Sequence, residues 1–231
     1  MGKPQNRVKI EWSPNFAYAI GLLVTDGSLS KDRRHVCFTS KDLELINNFQ
    51  ECLRINYHLG LKGSGTQKEK KYYVIQIGDV NFYKYLLSLG LMPNKTKIIQ
   101  GLQIPDPYFF DFLRGHLDGD GSFYSYWDSR WHSSFMFYTA FASASKDHIF
   151  WLRSEIFKYL EIRGHISINK KKMYYQLRYA KTESIKLLNK IYYSQEVICL
   201  NRKRLKIENA LSIIKQTLNF GHVEKLVNSL P

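Results

Sequence analysis

The chain repeats itself, and that repeat limits its fold more than any other feature. The segment "SPNFAYAIGLLVTDGSL" (13–29) aligns with "DPYFFDFLRGHLDGDGSF" (106–123). Each begins with a good N-cap residue, Ser13 or Asp106, followed by proline at the first helical position, Pro14 or Pro107. Each runs through an apolar segment containing a glycine, Gly21 or Gly115, and ends in Asp-Gly-Ser. The separation is 94 residues at Gly21/Gly115, Asp26/Asp120, Gly27/Gly121 and Ser28/Ser122 alike. Self-similarity at a fixed spacing predicts two copies of one structural unit.

The echo extends beyond this motif. "TSKDLELINNFQECL" (39–53) matches "ASKDHIFWLRSEIF" (144–157), both with Ser-Lys-Asp ahead of a helical apolar period. Here the separation is 105, so the second copy carries about 11 extra residues in the hairpin before it. "YYVIQIGD" and "MYYQLRYA" alternate as strands do, "FYKYLLSLGL" and "SIKLLNKIYY" read as short amphipathic helices, and "NKTKII" resembles "NRKRLKI". Each half therefore reads helix, two strands, helix, two strands, helix, an α+β pattern. The boundary falls near Pro105, giving repeats 1–105 and 106–231, with a peripheral tail from Asn219 onward.

Strand alternation points Leu29, Val36, Phe38, Tyr73, Ile75 and Ile77 inward in the first half, and Phe123, Phe141, Tyr175 and Leu177 in the second. The opposite faces are polar, so two antiparallel sheets can form one long groove. Lys and Arg number 34 against 20 Asp and Glu, a net charge of +14 that suits a polyanion, nucleic acid above all. Candidate contacts in the first half are Ser30, Asp32, Arg33, Arg34, His35, Lys68, Lys70 and Gln76. In the second half they are Tyr124, Tyr126, Arg130, His132, Lys171, Gln176 and Arg178. Cys37, Cys52 and Cys199 are odd in number and lack CxxC spacing, which suits a reducing, intracellular setting. "FAYAIGLLV" is too short to span a membrane, and the first ten residues hold no signal-peptide core or myristoylation signal.

The acids at the motif ends are electrostatically misplaced. A helix C-terminus is partially negative, and an acid there costs roughly 0.3–1 kcal/mol. Glycine inside a helix costs about 1 kcal/mol against alanine, so Gly21 and Gly115 suggest helices in close approach. That packing brings Asp26 and Asp120 together. A divalent cation reverses the sign of their repulsion: Mg²⁺ takes one or two carboxylates plus waters and phosphate oxygens. The helix-end carbonyls are further candidate ligands. Asp118 has no acidic partner, since Val24 stands in its place, and reads as a helix-end or supporting residue.

"AIGLLVTDG" (19–27) and "LRGHLDGDG" (113–121) resemble the paired motifs of LAGLIDADG homing endonucleases, and the resemblance covers roughly residues 13–215. It implies a single-chain monomer of two pseudo-symmetric αββαββα halves, with motif helices packed at their interface and two sheets forming a DNA-binding saddle. It implies metal-dependent cleavage of both strands of a long DNA site, leaving 3′ overhangs, with Asp26 and Asp120 as ligands. Mg²⁺ is the expected ion, and Mn²⁺ or Ca²⁺ suit the same positions. Lys95 and Lys203 match the family's lysine near the end of each half, Arg202 aligning almost as well. Ser40 and Ser145 stand where many members carry a longer polar residue. Val24 and Thr25 depart from the motif without removing a ligand. The unequal hairpins imply an asymmetric target. The alternative is a protein of this fold that binds DNA or intron RNA, as maturases do, without cutting.

Overall fold

A computed structural model of the chain describes residues 6–64, 67–131, 134–171 and 173–220, and for 64 and 67–71 the backbone alone. Ser13 starts the first helix, α1 (Pro14–Asp26), by accepting a hydrogen bond from the Phe16 amide at 3.1 Å. Every residue from Phe16 to Val24 is buried, as expected of a helix apolar on all sides. Its counterpart is α4 (Phe109–Asp118), buried at Phe109 and from Asp111 to Asp118.

The two helices meet backbone to backbone at the paired glycines. A Cβ on Gly21 would lie 2.1 Å from the Phe112 carbonyl oxygen, and one on Gly115 2.0 Å from that of Tyr18. Only hydrogen fits at either place. The expected N-cap at Asp106 is corrected: Asp106–Tyr108 form a 3-10 turn, and Tyr108 precedes the first residue of α4. The fixed φ of Pro107 suits that tighter turn, and the Asp106 carboxylate instead pairs with Lys158 at 2.9 Å.

Each half builds its own antiparallel sheet. In the first, β1 (Gly27–Leu29), β2 (His35–Ser40), β3 (Gly60–Ser64) and β4 (Gln67–Gly78) lie in the order β1-β2-β4-β3. In the second, β5 (Ser122–Trp127), β6 (Phe135–Ser143), β7 (His165–Asn169) and β8 (Tyr174–Ala180) repeat that order. The inner faces carry Leu29, Val36, Phe38, Ile75 and Ile77, and Phe123, Phe141 and Leu177, all buried. Tyr73 and Tyr175 are half-buried against the same core. Helices α2 (Leu43–Leu53) and α3 (Val80–Ser88) cover the first sheet, α5 (Lys146–Leu160) and α6 (Lys181–Ile191) the second. Phe49 of α2 stacks on Phe38 of β2, ring centroids 4.4 Å apart.

The repeats differ at two places. "NRKRLKI" opens a full helix, α7 (Asn201–Ile213), whereas "NKTKII" gives only a 3-10 turn at Lys95–Lys97. Asn94, in the left-handed conformation, starts that turn, and Gly101 and Pro105 follow too closely for a longer helix. The β5–β6 hairpin is also longer than β1–β2, as the extra residues predict. Just before the tail Leu218 is buried, and at its start the Asn219 amide donates to Asn189 Oδ1, while 221–231 lie outside the described residues. Among the described residues no helix is long and apolar enough to cross a membrane, and the three cysteines are free.

Replacing Gly115 with alanine should lower unfolding free energy by about 1–3 kcal/mol or more, since two backbones must separate. Gly63→Ala has open space around the added methyl and should change it by less than about 0.5 kcal/mol. Urea unfolding of the two variants checks the contrast.

Candidate functional site

Gly21 and Gly115 lock α1 and α4 side by side, so their C-terminal ends emerge together. A Cβ on Gly119 would lie 2.8 Å from Asp26 Oδ2 and 2.0 Å from Thr25 Oγ1, so the end of α4 rests directly on the last residues of α1. Burial pushes the Asp26 carboxyl up to about 6, and the negative charge of Asp120 adds to the shift. The Thr25 hydroxyl, 3.2 Å from Asp26 Oδ2, opposes it, as do Lys203 and Lys95. Burial also raises Asp120, against the pull of both lysines. The two acids thus share one electrostatic environment.

Each acid has a lysine beside it, held on the carbonyls of a motif-helix end. Lys95 donates to the Thr25 and Gly27 carbonyls. Lys203 Nζ lies 2.6 Å from the Leu117 oxygen, 2.8 Å from Asp118, 3.2 Å from Gly119 and 2.7 Å from Gly121. One ammonium among four carbonyl oxygens offsets much of the negative pole at the end of α4. Burial nevertheless brings Lys203 down to about 8 and lowers Lys95, with Asp26 and Asp120 resisting in both cases. Arg202 turns away to Asp42 at 2.8 Å, so geometry separates it from Lys203.

Asp118 belongs to the frame that sets Lys203 in place. It is 1% exposed and accepts from the Tyr18 hydroxyl at 2.8 Å and the Leu200 amide at 2.7 Å. Leu200 precedes α7, so Asp118 anchors the start of the helix that carries Lys203. Beneath it Arg114, fully buried, pairs with Asp111 at 2.8 Å and donates to the Ile191 and Ile198 carbonyls. Ser145 is likewise committed: it caps α5 and donates to the Ile99 carbonyl. Ser40 accepts from the Asp42 amide at 3.0 Å.

A cavity of about 70 Å³ adjoins Asp120 and Lys95, with Thr25, His116 and His148 also in its wall. Sequence reading had no signal for this histidine pair. The Nε2 atoms face each other at 3.1 Å, with ring centroids 5.3 Å apart and planes only 17° apart. His148 Nδ1 must carry hydrogen, because it lies 2.8 Å from the Gln100 carbonyl. Its bare Nε2 then accepts from His116. Burial lowers His148 to about 4 and His116 well below its usual value, keeping both rings neutral.

The expected nucleic-acid contacts lie on the outer sheet faces and hairpins. Gln76 and Arg33 are exposed, Ser30 is half-buried, and Asp32 is bonded to His35 and the Arg34 amide. Arg34, His35 and Gln76 line an open cavity of about 490 Å³ with Arg7 and Tyr57, two residues the sequence pattern did not single out. In the second half Tyr126, Arg130 and Lys171 are exposed, and Tyr124, Gln176 and Arg178 are half-buried on the outer face. Arg130 is tied to Asp128 at 2.9 Å. His132 and the side chains of Lys68 and Lys70 lie outside the described residues.

Among the described residues no three His, Cys, Asp or Glu side chains gather as a metal-holding group. Of the helix-end carbonyls expected as further ligands, those of Thr25, Leu117 and Asp118 accept from Lys95 or Lys203. What remains is a carboxylate pair whose pKa values are raised by burial. That donor set fits a hard cation completing its shell with water and phosphate oxygens.

The cation-free protein should reveal the cost of burying Asp26 near Asp120. Asp26 rises from 3.8 unfolded to about 6 folded, so the folded state binds the extra proton between those values. Its destabilisation is absent below about pH 4, grows through pH 6 and is complete at neutral pH. Asp26→Asn should flatten that slope and stabilise the chelated protein at pH 7.5 by on the order of 1–2 kcal/mol, allowing for solvent screening. Urea unfolding in chelator across pH 4–7.5 measures this.

Residues 13–90 match the family model described as a LAGLIDADG-like domain. No curated protein matches the chain by sequence. Among solved structures, the homing endonuclease I-WcaI bound to its DNA recognition sequence is 14% identical, with a TM-score of 0.57 over 90% of this chain and 94% of its own. The meganuclease I-SmaMI bound to uncleavable DNA is 15% identical, with a TM-score of 0.56 over 87% and 92%. Full-length DUF199/WhiA from Thermatoga maritima is 13% identical, with a TM-score of 0.53 over 89% and 70%. Residues 13–90 match a LAGLIDADG-like domain, and the second half repeats the strand order of the first.

Proposed function

We propose that the chain is a Mg²⁺-dependent homing endonuclease that makes a site-specific double-strand break in a long, asymmetric DNA target, acting as a monomer. The observation that carries this reading is the pairing of Asp26 with Asp120 at joined helix ends, with Lys95 and Lys203 beside them. The polar outer faces of the two sheets support a saddle laid on duplex DNA. I-WcaI and I-SmaMI, of like fold, were solved with DNA.

Asp26 and Asp120 would hold the ion, with Mn²⁺ or Ca²⁺ able to take the same ligands. Such an ion, when bound, supplies Lewis acidity at a phosphoryl oxygen and acidifies water. The chain's own residues do the rest. Lys95 and Lys203 keep positive charge where negative charge gathers on a cut phosphate. Lys203 Nζ is surrounded by carbonyls, so its contribution is electrostatic rather than proton transfer. Outer-face side chains such as Gln76 and Arg178 read base edges, while basic hairpin residues such as Arg33 and Lys171 meet phosphates and set the register.

One observation favours a second reading, a protein that binds DNA or intron RNA without cutting. Lys95 and Lys203 already balance Asp26 and Asp120 charge for charge within the protein. A duplex recovered from a randomised pool by binding, then cloned into a plasmid, separates the two. Wild type with Mg²⁺ should linearise it. Asp120→Asn should lose cleavage by on the order of 10²–10³-fold or more while binding the duplex nearly as well. Cleavage by that variant, or tight binding without cutting by wild type, sinks the endonuclease reading.

Cation binding should also follow Asp26. Ca²⁺ should raise the unfolding temperature of wild type at pH 7.5 and not that of the Asp26→Asn, Asp120→Asn double variant. The effect should fade as pH falls through about 6, where the proton reclaims Asp26.

A further inference from the structure

Matched places on the outer faces of the two sheets carry different chemistry. In the first sheet Ser30 lies opposite His35, its amide 2.9 Å from the His35 oxygen, and Gln76 lies beside Cys37. In the second, Tyr124 lies opposite Tyr138 and Arg178 beside Ala140. The longer hairpin then adds Tyr126 opposite Met136. The three tyrosines form a ladder. Tyr124 and Tyr138 have centroids 5.3 Å apart and planes at 18°, and Tyr126 and Tyr138 are 6.3 Å apart at 9°. Tyr126 is 44% exposed and the other two are half-buried.

The ladder's geometry decides what it can touch. Platforms for unpaired bases offer open ring faces. Here Tyr138 stacks on both Tyr124 and Tyr126, so ring faces within the ladder are covered by one another. In a duplex the base faces are covered too, and the major groove displays edges, among which the apolar group is the thymine C5 methyl. An aromatic edge matches that methyl, whereas opposite guanine or cytosine it would leave strong donors and acceptors unpaired.

We propose that the Tyr124–Tyr138–Tyr126 ladder reads thymine methyl groups in the half-site beneath the second sheet. The first sheet, with Ser30, His35 and Gln76, reads the other half by hydrogen bonds. This inference rests on the duplex-binding reading above and names the chemistry of its specificity.

The test uses the full-length protein and the duplex selected from a randomised pool. Thymidines are replaced by deoxyuridines, one half-site at a time, which removes only the methyl groups. Affinity should fall roughly fourfold for each contacted methyl lost in one half, and hold in the other. The sensitive half should lose its methyl dependence in Tyr124→Ser, Tyr126→Ser and keep it in Tyr124→Phe, Tyr126→Phe, which retains the ring edges. Deoxyuridine tolerated in both halves, or methyl dependence that survives the serine variant, overturns the ladder's role and leaves the endonuclease reading standing. Failure to recover any duplex overturns both.

Discussion

Everything in this chain depends on two helices touching without side chains between them. At Gly21 and Gly115 the backbones of α1 and α4 are so close that a methyl group on either would overlap a carbonyl oxygen of the other. The contact costs helix propensity twice. In return it fixes one angle and one depth for both repeats, and brings two helix C-termini to a common point. The sheets, each hung from the end of its motif helix, inherit their relation from that contact.

Bringing two negative poles together creates an electrostatic problem, and the fold answers it in layers. Lysines from outside the motif helices cap the exposed carbonyls. Asp118, the last residue of α4 and two before Asp120, faces inward to Tyr18 and Leu200 and so serves packing. Asp26 and Asp120 are left with raised proton affinities and a shared need for positive charge. In the proposed endonuclease a hard divalent ion meets that need.

Much of this was legible because duplication doubles weak signals. One Asp-Gly is a turn; two at one spacing, after two matched glycines, point to a shared site. Strand alternation placed the inner residues well, from Val36 to Leu177. What stayed hidden depended on long-range geometry. The role of Asp118 turns on an amide 82 residues away. Arg202 and Lys203 are neighbours in sequence, and only the direction of α7 parts them. The histidine pair unites positions 32 residues apart that no local pattern links. The start of α4 slipped because Asp106-Pro107 can open a 3-10 turn as readily as an α-helix.

The linker between the repeats is fastened to both of them. Its Ile99 and Gln100 carbonyls are held by Ser145 and His148, both of the second repeat. A few residues earlier the same segment carries Lys95 to the end of α1 in the first. The cation that steadies one half is thus delivered by a strap fastened to the other. Modularity in this architecture stops short of the junction: halves exchanged between relatives would have to travel with compatible straps, and a gene split at the linker would separate an anchor from its load.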